Sequence, residues 1–194
     1  MKLSLDLTYK TPQSWATQVM DDFPFFLQDH ADCERKASSM AMSFVAKCPD
    51  KVEIIPELIE TALEELEHFQ QVYALMASRG IQLRKEMPKD LYIQQLIENC
   101  RSGRDERLLD RLLLASIIEC RGAERFRLIS DELKDSDLKH FYKSLWISEA
   151  KHGHIFVKFA LNYWKEDEVY LRLEELNRIE GEICSNMKWT PRLH

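Results

Sequence analysis

Along most of the chain, apolar residues recur at the three- and four-residue intervals of an amphipathic helix, and capping and breaking residues cut that pattern into segments. A short amphipathic piece covers about 13 to 20. Asp22 caps the first long helix, whose first turn holds Pro24, where a missing N–H does no harm; the pattern runs to about Ala46. Cys48-Pro49-Asp50 interrupts it. Asp50 and Glu53 have capping-box spacing for a second long helix, with Pro56 also allowing a start one turn later, and Gly80 stops that helix after Arg79. Gly80, Pro88, Ser102 and Gly103 bracket a shorter helix, Asp90 to Cys100, within a long connection. Asp105 then caps a third long helix, with Leu108, Leu112, Ala115, Glu119, Ala123 and Phe126 on one stripe, to about Leu133. Ser136 opens a fourth, to about Trp164. A strongly charged helix near Asp167 to Cys184 and the tail NMKWTPRLH follow.

Four long helices in two tight hairpins joined by one long crossover predict an all-α, ferritin-like four-helix bundle, with extra helices at the termini and in the crossover. Composition agrees. With 194 residues, 45% hydrophobic, and only 5 Gly and 6 Pro, the chain has material for one helical domain spanning 1–194 and little turn chemistry for a many-stranded fold. A formal charge of −6 argues against indiscriminate binding to nucleic acid or acidic lipid. The 5 cysteines include no pair at the two-residue gap of a zinc ribbon or redox motif, so they are expected to be reduced thiols of a cytoplasmic protein. No apolar run of export-signal or membrane-span character is visible, so the expectation is a protein that is neither exported nor membrane-spanning.

Chemistry enters through two short phrases. Glu65-Leu66-Glu67-His68 and Glu149-Ala150-Lys151-His152 each place a histidine three residues after a glutamate, so both side chains share one helix face. Alone, each phrase is better read as a solvated i,i+3 pair. Register makes the case. Folded as antiparallel hairpins, Glu34 stands level with Glu65 and Glu119 level with Glu149, at separations of 31 and 30 residues that make the chain an approximate internal duplication.

Each of the four glutamates lies on an otherwise apolar stripe, where an ionised carboxylate costs several kcal/mol unless it is paired or binds a metal. Four carboxylates and two imidazoles suit two first-row ions, iron or manganese better than magnesium, and form the signature ligand set of dimetal carboxylate bundles. Glu124 is the rival to Glu119, although its distance from Glu149 puts it more than a turn out of level. His30, one turn before Glu34, is either a support for that ligand or a gate, or, as the commoner case, a satisfied core or rim histidine. Ala37, Ser38, Gly122 and Ala123 either leave room for dioxygen and substrate or let the helices pack closely.

The six ligand positions, the phrases ELEHFQQVYALMASRG and SEAKHGHIF, and the length resemble the tRNA-modifying di-iron monooxygenases that hydroxylate 2-methylthio-N6-isopentenyladenosine beside the anticodon. The resemblance implies two iron ions on Glu34, Glu65, His68, Glu119, Glu149 and His152, O2 as co-substrate, tRNA as the substrate, and an external electron-transfer protein or reductase. A ferritin-like ferroxidase without an organic substrate is the alternative. Around the connection, Arg79, Arg84, Lys85, Lys89, Arg101, Arg104, Arg107 and Arg111 are candidate phosphate contacts. In the tail, Trp189 is a candidate stacking contact and Lys188 and Arg192 are further phosphate candidates. Setting the four ligand glutamates aside leaves the rest of the chain within about two charges of neutral, so composition does not oppose an RNA partner.

Overall fold

A computed structural model describes residues 5–194. Seven helices and, among the described residues, no strand make the chain all-α: α1 (Gln13–Asp21), α2 (Phe23–Lys47), α3 (Ile55–Ser78), α4 (Leu91–Glu98), α5 (Arg104–Glu132), α6 (Ser136–Leu161) and α7 (Glu166–Asn186). The elements and their order are the expected ones, and the differences lie at the caps. Asp22 caps α2 by accepting from the Phe25 N–H at 3.3 Å, and Asp90 caps α4 by accepting from Ile93 at 3.0 Å. Asp50 caps nothing. The chain turns tightly through Lys51 to Ile54, and α3 begins with Pro56 in its first turn, where the ring needs no N–H partner. Asp135, not Ser136, caps α6, accepting from Asp137 and Leu138. Gly103, not Asp105, occupies the cap of α5, leaving Asp105 and Glu106 in its first turn, where they face the positive end of the helix dipole.

The chain divides into two compact units. The first to be described contains residues 18–89 and 190–193 and is built on the α2/α3 hairpin. Leu27, Ala41 and Phe44 of α2 and Leu58, Ala62, Val72 and Met76 of α3 form its apolar interior. The tail closes back on it: Arg192 Nε donates to Asp29 Oδ1 at 2.7 Å, and the Leu193 N–H to Asp29 Oδ2 at 2.8 Å.

The other unit contains the described residues through Thr17, residues 90–189 and His194. Its centre is α5, which packs on α6 and also on α7. Residues 112–117 are therefore buried all round the helix, where the sequence pattern predicted a single stripe. The α5/α7 contact is polar at its heart. Arg121 donates from Nε and Nη2 to the two oxygens of Glu180 at 2.7 and 2.8 Å, a bidentate pair with both side chains fully buried. Tyr92 Oη and Cys184 Sγ add donors to Glu180 at 3.0 and 3.1 Å. Burial, reinforced by Glu180, pushes the Cys184 thiol up to about 12, so it stays protonated. Arg125, also buried, lies under three aromatic rings, 5.2 Å from the Trp15 centroid, 6.0 Å from Tyr92 and 4.9 Å from Trp189.

A second buried acid organises the start of α5. Asp110 receives the Arg101 backbone N–H at 2.8 Å and the guanidinium groups of Arg101 and Arg172, with closest approaches of 2.7 and 2.8 Å. Burial pushes its carboxyl up, but the bonds from Arg172 and Arg101 outweigh this and hold it below the usual carboxylate range. A lowered folded-state value gives stability that is present above the unfolded value and lost as the pH falls through the folded one. Asp110→Asn should cost about 2–3 kcal/mol at neutral pH. In urea titrations the gap from wild type should hold down to about pH 4 and close below it.

Candidate metal centre

In the α2/α3 unit, Glu34 is carried by the middle of α2, and Glu65 and His68 by one face of α3. All three are buried, with Glu65 only 1% exposed. Their ligand atoms lie within 4.8 Å of one another. His68 Nδ1 stands 3.5 Å from Glu65 Oε2 and 3.7 Å from Glu34 Oε2. These distances are too long for good hydrogen bonds. They approach the ~3–3.5 Å that separates N and O donors each bound ~2.0–2.2 Å from one cation. His30, one turn before Glu34 and fully buried, bonds through Nε2 to Glu34 Oε1 at 2.7 Å. It is thus a support for Glu34, leaving the other oxygen facing His68. Ser38 Oγ donates to the Ala62 carbonyl at 2.8 Å and ties α2 to α3 one turn from Glu34 and Glu65.

The α5/α6 hairpin repeats the arrangement. Glu119 on α5 and Glu149 and His152 on α6 are buried, their ligand atoms again within 4.8 Å of one another. His152 Nδ1 stands 3.6 Å from Glu149 Oε2, nearly matching the first hairpin. Glu124 takes no part in this cluster. Its carboxylate accepts from the Thr11 hydroxyl at 2.8 Å and from the Arg121 guanidinium, so of the two acids it is Glu119 that the structure brings to Glu149 and His152.

Here too a serine bridges the helices: Ser116 Oγ donates to the Gly153 carbonyl at 2.6 Å. Gly153, directly after His152, permits this approach, because a Cβ there would stand 2.6 Å from Cys120 Sγ and 3.3 Å from the Ser116 carbonyl. Sequence reading did not single it out, although a glycine inside a helical pattern is itself a packing signal. Gly122 differs: a Cβ there would meet only Glu149 Cγ, at 4.0 Å, so space is left beside that carboxylate. In each hairpin, two carboxylates and an imidazole nitrogen in a buried, closely spaced set fit a first-row metal ion.

Over residues 3–194 the sequence matches the model of the family described as tRNA-(MS[2]IO[6]A)-hydroxylase (MiaE). The chain belongs to the MiaE family. A Pseudomonas putida protein named tRNA 2-(methylsulfanyl)-N(6)-isopentenyladenosine(37) hydroxylase is 34% identical over 184 residues, covering 95% of this chain and 89% of that one. A Salmonella typhimurium protein of the same name is 27% identical, covering 95% and 85%. Among solved structures, protein 43 with aldehyde deformylating oxygenase activity from Synechococcus superposes with a TM-score of 0.91 at 32% identity, covering 97% of this chain and 94% of that one. The fold of this MiaE-family chain is thus ferritin-like, as its helix order predicted.

The basic candidates separate by environment. Arg84 and Lys85 are exposed and line a cleft in the α2/α3 unit, and Arg79 and Lys89 are exposed on the same unit. Arg104 and Arg107 are exposed at the start of α5, while Arg101 is spent on Asp110. In the tail, Trp189 stacks on Tyr9 at 6.0 Å and covers Arg125, and Arg192 binds Asp29, so both have roles inside the fold.

The two glycines give opposite expectations. Gly153→Ala should lower stability by about 1–3 kcal/mol, because Cys120 and the α5 backbone must give way. Gly122→Ala should be neutral or stabilising by up to about 1 kcal/mol, since alanine favours helix and meets no close atom. Thermal unfolding of the two variants reads the sign directly.

Proposed function

We propose that this chain is an O2-dependent di-iron monooxygenase that hydroxylates the isopentenyl group of 2-methylthio-N6-isopentenyladenosine in tRNA, in the cytoplasm, with the whole chain acting as one domain. The observation that carries the reading is the repeated half-site: in each hairpin a Glu-x-x-His pair with Nδ1 3.5 or 3.6 Å from its carboxylate, joined by a glutamate from the neighbouring helix, in a chain of the MiaE family. Glu34, Glu65 and His68 from one hairpin and Glu119, Glu149 and His152 from the other are the ligands in this reading. Ferrous iron bound to such a set supplies electrons that activate dioxygen for insertion into an unactivated C–H bond.

The residues around the ligands serve that chemistry in definite ways. His30 fixes one oxygen of Glu34, so that ligand presents its other oxygen in a defined direction. Gly122 keeps a side chain away from Glu149, since even a Cβ there would stand 4.0 Å from its Cγ, so Glu149 would hold its place in the set without crowding from that side. Within the α2/α3 unit, Leu27, Ala41 and Leu58 are buried apolar side chains on the two helices that carry Glu34, Glu65 and His68, of the kind that keep bulk water from reactive groups. Hydroxylation consumes two electrons and two protons per O2, and the sequence carries no rubredoxin-type cysteine pair to deliver them. A separate electron-transfer protein is therefore part of the proposal. Among the described residues, no helix is long and apolar enough to cross a membrane.

Reduced, iron-loaded protein incubated with O2 and prenylated tRNA should add one oxygen atom to the modified nucleoside, read by mass spectrometry. No gain under turnover, together with uptake of far more than two irons per chain, would replace this reading by iron storage. His68→Ala and His152→Ala should each lose bound iron by elemental analysis while keeping a helical circular-dichroism spectrum. Retention of two irons and full activity by His152→Ala would remove that residue from the ligand set.

A further inference from the structure

The α2/α3 unit holds a cleft of about 370 Å³, within the ~300–1,000 Å³ range of small-molecule sites. Its apolar lining comes from Ala31 of α2, Phe69 of α3, and Leu83 and Met87 of the segment after α3, with Ala31 fully buried and Leu83 exposed. Its rim is cationic, with Arg35 and Lys36 on one side and Arg84 and Lys85 on the other. One acid interrupts that rim. Asp32 binds Arg35 Nη2 and Lys36 Nζ, each at 2.6 Å. Burial pushes its carboxyl up and the two cations more than reverse this, so it is ionised at neutral pH and the cleft carries a net of three positive charges. In a chain whose formal charge is −6, this is a marked local reversal.

The segment that supplies half of this rim has no regular structure, yet it is held at several points. Gln28 Nε2 donates to the Gln82 carbonyl at 2.7 Å, the Arg84 guanidinium lies 5.3 Å from the Phe25 centroid, and Arg192 Nη1 donates to the Lys89 carbonyl at 3.1 Å. These contacts hold the segment to the hairpin and its tail without using the charges of Lys85 or the outer face of Arg84. The cleft also has a defined place along the hairpin. Arg35 directly follows Glu34 on α2, and Phe69 directly follows His68 on α3, so the cleft lies one residue around each helix from a candidate metal ligand.

We infer that this cleft binds one nucleotide of single-stranded RNA, its base against Phe69 and Leu83 and its phosphate on Lys36, Arg84 and Lys85. An aromatic lining with a multi-cation rim is the chemistry that recognises an unstacked nucleotide, since every base has a face to stack and every phosphate a charge to neutralise. A small anion alone would have no use for the apolar lining. A membrane surface would meet a recess where it needs a protruding apolar edge. The identity of the RNA rests on the hydroxylase reading: the nucleotide is one flanking the modified adenosine, and holding it at the level of Glu34 and His68 fixes where along the hairpin the strand lies.

The test is binding of a synthetic anticodon stem-loop, in unmodified and prenylated forms, measured across a salt series. The proteins are wild type, Arg84→Glu/Lys85→Glu, Lys36→Glu, and Lys143→Glu as a charge control from the exposed face of α6. The Arg84/Lys85 double variant should bind both RNAs at least tenfold more weakly, and the magnitude of its log–log salt slope should fall by about 1.4, the value for two lost single-strand phosphate contacts. Lys36→Glu should weaken binding in the same sense, with a smaller loss of slope. Lys143→Glu should match wild type, and all four should carry the same iron. Wild-type affinity and slope in both cleft variants would overturn the inference, as would a wild type that binds neither RNA. A cleft-dependent affinity in a protein that adds no oxygen to the prenylated nucleoside would leave the inference standing and remove the hydroxylase reading instead.

Discussion

Two carboxylates and an imidazole packed within a few ångströms, away from water and on helices that are otherwise apolar, are costly to hold together unless something offsets the charge of the acids. In the α2/α3 hairpin the set is Glu34, Glu65 and His68, and in the α5/α6 hairpin it is Glu119, Glu149 and His152. Desolvating each acid costs several kcal/mol, and bringing two together adds repulsion at a low local dielectric. A side-chain bond between the two helices of each hairpin holds them together near these residues. Each hairpin uses a serine-to-carbonyl bridge near its ligands, in mirrored positions. Ser38 follows its glutamate by one turn, and Ser116 precedes its own by one turn. The duplication thus extends beyond the ligands to the hydrogen bonds that set the distance between their helices.

Helix α5 shows how one element keeps the acid of a salt-bridge network apart from the acid of a Glu/His cluster. Glu119 and Glu124 are five residues apart on the same helix, and their environments have nothing in common. Glu124, with Glu180, surrounds Arg121 in a network closed by Thr11, Tyr92 and Cys184, where every charge has a partner of opposite sign. Glu119 faces another acid and a histidine. Removing one member of the Arg121 network would strand a buried charge, so this network is destabilising to break even where an apolar replacement of the whole would serve as well.

The helices, their order, the long connection and the gathering of Glu34, Glu65 and His68 in one hairpin and of Glu119, Glu149 and His152 in the other were legible in the sequence, because helical periodicity and the level placement of Glu34 with Glu65 and Glu119 with Glu149 depend only on spacing along the chain. Capping was less legible. Asp50 and Asp105 look like caps by residue type, but Pro56 and Gly103 set the actual starts through backbone geometry. What could not be read was anything that depends on a third element. The all-round burial of α5 comes from α7, a helix whose sequence looks solvated, and the charge of Arg101, Arg121 and Arg192 is consumed by partners 9, 59 and 163 residues away. The same holds for the basic candidates. As a run in the sequence they were nearly balanced by acids, and only the approach of residues 83–87 to α2 and α3 gathers four cations around one recess.

The closure of the tail onto Asp29 bears on the order in which the protein is completed during synthesis. The α2/α3 hairpin is local in sequence and is made early. Its Asp29 carboxylate, next in the chain to the His30 that orients Glu34, receives Arg192 and Leu193 only after 163 and 164 further residues have been joined. A ribosome-bound chain can therefore form the helices of this unit but not finish it. The surroundings of the first ligand reach their final form only when the end of α7 and the tail beyond it have left the exit tunnel. The last hydrogen bonds of the unit that is made first are correspondingly a late event in the life of each new molecule.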